Sequence, residues 1–323
     1  MNNNGIPSHS GGYAHHNQYN SPAPVAPAQP STVHAAMPET SLRMQGRYSH
    51  AVVVVKPRTL ENLHLADKVQ RHTQRLLPHG AGNQWLSVLS SQGESYSRGH
   101  LTRELKPEFR KQNPQIDRTY NSARAAATLQ GGNCQEFADI AYTLLAARGA
   151  NTPVFHVSYR NDHILVMLGD PRESSENVAL VDAWPSIPVA TTLSNSLINP
   201  NDLVVKKQFN SRSGNPDAQA VLSGIRPMSS VEVNQRMQAQ GFPAIGPALV
   251  QELAECLKEE GQFFYDVRTL SADPSMKYTD GHQHPESFDR MSSNQLAGKL
   301  AVVREYEQKV QTHPDLYGRF KGI

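Results

Sequence analysis

Cysteine is scarce in this chain: Cys134 and Cys256 are the two among 323 residues. Two thiols cannot build a disulfide scaffold, so the sequence points to a reducing working compartment. Net charge is also small, with 31 Lys and Arg against 29 Asp and Glu. A formal charge of +2 gives no electrostatic case for nucleic acid or an anionic membrane surface. Fourteen histidines make the real charge pH-dependent below about 7. No apolar run approaches the ~20 residues of a membrane span, and the N-terminus lacks a charged-then-apolar signal-peptide pattern. No calcium loop of EF-hand type is present, and neither a cofactor nor a metal is expected.

Charge is rarest at the start. Between residues 1 and 42 the single charged side chain other than histidine is Glu39, and no apolar period runs through the Asn, Ser, Pro, Ala and Gly residues around it. Such a segment buries too little surface to offset its ordering entropy, so residues 1–46 are expected to be disordered. His15-His16 has no ordered partner in view and is not read as a metal site.

The remainder carries patterns. Ala51-Val52-Val53-Val54-Val55 reads as a short buried strand. Residues 60–77 read as a helix with Leu65, Val69, His72 and Leu76 on its inner face. Residues 84–89 suggest a further helical turn anchored by Trp85. Residues 90–115 are weakly patterned and read as loop plus short helix, their Arg98, Arg103, Lys106, Arg110 and Lys111 forming a solvated face. An alanine-rich helix is expected over 120–129 and an amphipathic one after residue 133, with Phe137, Ile140, Ala141, Leu144 and Leu145 inward and Gln135, Asp139 and Thr143 polar. Strands follow over 153–159, 163–168 and 178–183, with another at Leu203-Val204-Val205. The helix over 247–260 places Cys256 on its apolar stripe, where packing explains it. His282-Gln283-His284 beside Asp280 and Gly281 reads as an exposed loop.

Chemistry concentrates at Gly131-Gly132-Asn133-Cys134-Gln135-Glu136. Asn133 and Glu136 have the spacing of a helix capping box, which sets Cys134 on the first helical residue. Free N–H groups and the helix dipole favour a thiolate there. The two glycines would let a substrate backbone approach the sulfur. If the last two strands pair as a hairpin with Leu168 near Asn177, the same register sets His163 opposite Asp182. A cysteine, a histidine and a carboxylate in this arrangement supply a nucleophile, a base and an orienter. The Cys134 N–H is the natural oxyanion donor, and Gln130 and Asn133 are candidates for oxyanion or substrate contacts. A zinc reading through Cys134, His156 and His163 lacks a second cysteine at ligand spacing.

Gly132-Asn133-Cys134-Gln135-Glu136-Phe137-Ala138, Asp162-His163-Ile164-Leu165-Val166 and Val181-Asp182-Ala183-Trp184-Pro185 together resemble the transglutaminase-like superfamily of cysteine enzymes. The resemblance covers residues 120–185, and Ile164-Leu165 stand where many members carry an aromatic. It implies an α+β, papain-like core, with a cysteine on a central helix packed on an antiparallel sheet that bears the histidine and the aspartate. By resemblance Cys134 is the nucleophile, His163 the base and acid, and Asp182 the orienter. The leader resembles those of bacterial type III secreted effectors. The expected organisation is a leader and secretion signal over 1–46, a catalytic domain over 47–226 and a helical C-terminal extension over 227–323. The expected function is hydrolysis of an amide in a host protein, as protease or glutamine deamidase, after secretion into the host cell, with a secretion chaperone as a further partner. Transfer to an amine, as in a transglutaminase, and a non-catalytic effector that binds a host protein remain the alternatives.

Overall fold

Successive side chains of the central strands point to opposite faces of one sheet, and both faces are covered. The computed structural model describes residues 49–259, 264–265 and 267–317. The expected disorder of 1–46, with His15-His16, lies outside the described residues. The chain is α+β. It runs through β1 (Val52–Val54), α1 (Pro57–Leu76), α2 (Trp85–Ser90), α3 (Glu94–Gln112), α4 (Arg118–Leu129) and α5 (Cys134–Arg148). Next come β2 (Val154–Tyr159), β3 (His163–Leu168), β4 (Ala179–Val181), β5 (Thr191–Thr192) and β6 (Leu203–Phe209). Then follow α6 (Pro216–Val221), α7 (Ser230–Ala239), α8 (Pro247–Glu259), β7 (Lys277–Thr279), β8 (Glu286–Ser287), α9 (Ser293–Thr312) and α10 (Pro314–Tyr317).

The main sheet has the order β5-β4-β3-β2-β6, and every neighbouring pair is antiparallel. Val154, Val166, Leu168, Ala179 and Val181 pack on α1 and α5. Phe155, Val157, Leu165, Met167 and Leu180 point the other way, against Leu193 and Ile198. Burial on both faces is why these strands read as near-continuous apolar runs. Helix α5 ends at Arg148 because Gly149 takes a φ of 75°, which its lack of a Cβ permits. Helix α4 begins where the Asp117 side chain accepts a hydrogen bond from the Thr119 N–H at 2.7 Å.

Several expectations are corrected. Val52 and Val54 are exposed rather than buried, because β1 is the edge of a second sheet of order β1-β7-β8. Helix α3 is a single helix of 19 residues that runs through Pro107. Its Ser95, Ser97 and Thr102 are fully buried, and their small size allows close packing that hydrophobicity does not signal. Arg98, expected on a solvated face, is 1% exposed. Its guanidinium donates to Glu94 Oε1 at 2.6 and 2.8 Å, to the Leu129 carbonyl at 2.7 Å and to the Met228 carbonyl at 3.0 Å. The inner face of α1 is Leu60, Leu63, Ala66 and Val69 with the buried polar residues Asn62, Asp67, Gln70 and Thr73. His72 is therefore exposed, and Leu65 and Leu76 lie at the margin. Asp139 and Thr143 on α5 are buried, Asp139 because it pairs with His156 of β2 at 3.0 Å.

The part after residue 226 is not purely helical. Its β7 runs parallel to β1, at the start of the described residues. Tyr278 of β7 reaches the main sheet, its hydroxyl 3.0 Å from Thr191 Oγ1 on β5. Helices α8 and α9 bury Leu249, Leu253 and Tyr306 against Trp85 and Leu86 of α2. Arg98 bridges the same parts through Met228.

Removing one partner of a buried ion pair strands the other. Arg98→Ala is therefore expected to lower the unfolding free energy by about 3–5 kcal/mol, read from urea denaturation of the full chain.

Candidate active site

The turn that launches α5 is held by packing. A Cβ on Gly131 would lie 2.7 Å from Arg98 Cβ, and one on Gly132 would lie 2.3 Å from Glu136 Cβ. The glycines thus serve the fit of the turn against α3 and against α5 itself, a role distinct from the substrate approach expected of them. The Gly132 carbonyl accepts from the Gly82 N–H at 2.9 Å. Glu136 closes one half of the capping box, accepting from the Asn133 N–H at 2.6 Å. Burial opposes its ionisation, but Lys106 of α3, in direct contact, and the Asn133 N–H together hold its pKa below the ordinary value. The Asn133 Oδ1 is buried without a hydrogen-bond partner, near Gly82 and Gly99. Gln130, the other candidate substrate contact, caps the end of α4 in the left-handed conformation, φ 57°.

Cys134 is the first residue of α5 and is partly exposed. Its thiol donates weakly to the Asp162 carbonyl, 3.7 Å away, one residue before the start of β3. The β3–β4 register differs from the expected one by two residues. Leu168 pairs with Ala179, not Asn177, because 175–177 form a 3₁₀ turn and the strand starts later. A shift of two keeps every side chain on its expected face. Continued past its last pair, Val166 with Val181, this register sets Trp184 opposite His163, so Asp182 meets the histidine diagonally. His163 Nε2 lies 2.5 Å from Asp182 Oδ2. The other carboxylate oxygen accepts from the Trp184 N–H at 3.1 Å, so both oxygens are fixed. The Trp184 ring covers the imidazole, centroids 4.8 Å apart.

His163 and Asp182 are nearly fully buried, at 5% and 6% exposed. Burial alone would lower the imidazole pKa. The Asp182 carboxylate, by charge and hydrogen bond, and then Cys134 overcome it and raise the pKa from 6.5 to about 10. Nδ1 makes no well-aligned hydrogen bond, so the influence of Cys134 on the ring is one of proximity. Cys134, His163 and Asp182 are thus brought together; Gln130 and Asn133 lie beside them in the chain, with the Asn133 side chain directed to α3.

Two further residues share the apolar cluster against which Cys134 packs. Trp184 was legible only as the end of a strand. Tyr265 comes from the C-terminal part, where Tyr265 and Gln84 form a parallel bridge. Its ring meets Trp184 at 5.6 Å and its hydroxyl donates to Asp162 Oδ1 at 3.4 Å. Burial, then the charges of Asp162 and Cys134, push its phenol pKa upward. No local pattern in the sequence connects Tyr265 with Cys134. His156 pairs with Asp139 and does not join His163 at Cys134, and no metal-ligating cluster occurs among the described residues. His282 and His284 are exposed, as expected of a loop. Among the described residues no helix is long and apolar enough to cross a membrane.

A histidine with a raised folded-state pKa adds stability that is complete below its unfolded value and fades as pH climbs through the folded one. The destabilisation caused by Asp182→Asn, measured by urea unfolding, is expected to be full just below pH 6.5 and to shrink as pH rises toward 10. Comparison of the chain with protein-family models, with curated proteins and with solved structures finds no match.

Proposed function

We propose that this chain is a thiol-dependent enzyme of the transglutaminase-like, papain-like type that attacks amide bonds of a host protein after secretion by a bacterium. The observation that carries this reading is the buried His163–Asp182 hydrogen bond beside the Cys134 thiol at the start of α5. A cation held next to a thiol favours the thiolate, and a helix N-terminus adds to that. The sulfur attacks the amide carbonyl carbon, and the oxygen takes the negative charge. Donors for it are the N–H groups of the first turn of α5, which have no intrahelical acceptor. Gln130 is the candidate second donor. The protonated His163 then gives its proton to the departing amine, and the C–N bond breaks to leave a thioester on Cys134. A water, deprotonated by His163, splits the thioester into acid and free thiol. Asp182, anchored by the Trp184 N–H, keeps Nε2 engaged so that Nδ1 does the proton transfer.

A protein backbone amide as substrate makes this a protease, and a glutamine side chain makes it a deamidase. An amine in place of water makes it a transglutaminase. Residues 1–46 serve export in this reading, with a secretion chaperone as their partner.

The test uses full-length protein and Cys134→Ala in a eukaryotic lysate that contains a biotinylated primary amine. New N-termini, glutamine-to-glutamate conversion and biotin incorporation are read together by mass spectrometry. At least one signal is expected with wild type and none with the variant. Identical profiles from the two proteins would overturn the enzymatic reading.

A further inference from the structure

A cavity of about 330 Å³ lies on another side of Trp184, away from the residues that carry the sulfur chemistry. Cys134 and His163 do not line it; Trp184, Pro185 and Phe137 do. Its size falls within the range of small-molecule sites. Its charge is unbalanced. Asp67, Arg71, Arg290 and Lys299 all face it, and with Glu286 behind Arg290 three cations meet two carboxylates. Asp67 is already shared: Oδ2 accepts from Arg71 Nη2 at 2.9 Å and lies 3.6 Å from Arg290 Nε. Glu286 takes the other end of Arg290. His79, also on the wall, sits 3.6 Å from Glu94.

Lys299 stands apart in this set. No carboxylate among the described residues pairs with it. Burial alone drives its pKa downward, with no neighbouring charge to offset the loss of water. A partly buried ammonium that faces a cavity without a counter-charge is costly unless something anionic enters. The half-buried Ser87 adds a hydroxyl to the same wall.

We propose that this cavity binds a small anion carrying at least two negative charges, held by Lys299, Arg71 and Arg290 against the Trp184 wall. Guanidinium forks engage phosphoryl or carboxylate oxygens in pairs, and the lysine contributes a point charge. Both chemistries fit the lining, so pyrophosphate and citrate serve as probes. The site is independent of the Cys134 chemistry.

Isothermal titration of the full chain at pH 7, with ionic strength matched by potassium chloride, is expected to show saturable binding of at least one probe. Pyrophosphate alone would identify a phosphoryl ligand, citrate alone a carboxylate one. Lys299→Met is expected to weaken binding tenfold or more while unfolding no earlier than wild type, since it removes a desolvated charge. Arg71→Gln, which keeps the polar contact without the charge, is expected to weaken it as well and stands in if the first variant misfolds. Lys111→Met, on the exposed end of α3, is expected to leave affinity unchanged. Absence of saturable binding by either probe overturns the proposal. So does equal affinity in wild type, Lys299→Met and Arg71→Gln.

Discussion

A buried guanidinium decides where Cys134 stands. Arg98 is almost wholly removed from water and balanced by Glu94, and it spends its remaining donors on the Leu129 and Met228 carbonyls. Leu129 ends the helix before the glycine turn, and Gly131 packs directly against Arg98 Cβ. The turn therefore has one course, and α5 starts at one place. Glu136, held by Lys106, fixes the first turn of α5 from the same side. A charge in such a position is stable only while all its partners are present. The position of Cys134 thus depends on contacts contributed by α3, α4 and the segment that enters α7.

The second constraint is the charge balance around His163. One imidazole, itself nearly closed to water, meets a carboxylate on one nitrogen and the neighbourhood of a partly exposed thiol on the other. In that setting Coulomb terms outweigh burial and the cationic form is favoured. Trp184 serves twice: its backbone N–H fixes Asp182, and its ring covers His163. The same ring borders the cationic cavity, so one side chain stands between His163 and that cavity.

The C-terminal part is integral to this arrangement. Tyr265 comes within reach of Asp162 and Trp184, α8 and α9 close over Trp85, and β7 pairs with β1. Polar residues in the interior make these contacts specific. Asp67 and Gln70 face inward from α1 because Arg71, Arg290 and the Leu180 carbonyl receive them.

Local sequence determined the elements with strong periodicity and the chemistry adjacent in the chain. The start of α5 at Cys134, the strand at His163–Leu168 and the helix over Arg118–Leu129 follow from a cap, an apolar run and an alanine-rich stretch, all short-range effects. The face that His163 and Asp182 share was legible too, since strand parity survives a register shift of two. The shift itself depended on how residues 175–177 turn, which no pattern specifies. Polar and small residues misled wherever tertiary partners satisfied them. Arg98 read as solvent-facing, Asp139 as a polar position and the inner face of α1 as Leu65, Val69, His72 and Leu76, because hydrophobicity cannot register a hydrogen-bonded burial. Tyr265 beside the thiol, Trp184 over the imidazole and Lys299 in its cavity were decided by tertiary structure alone, because each is a meeting of segments far apart in the chain, and only the packed core brings such segments together.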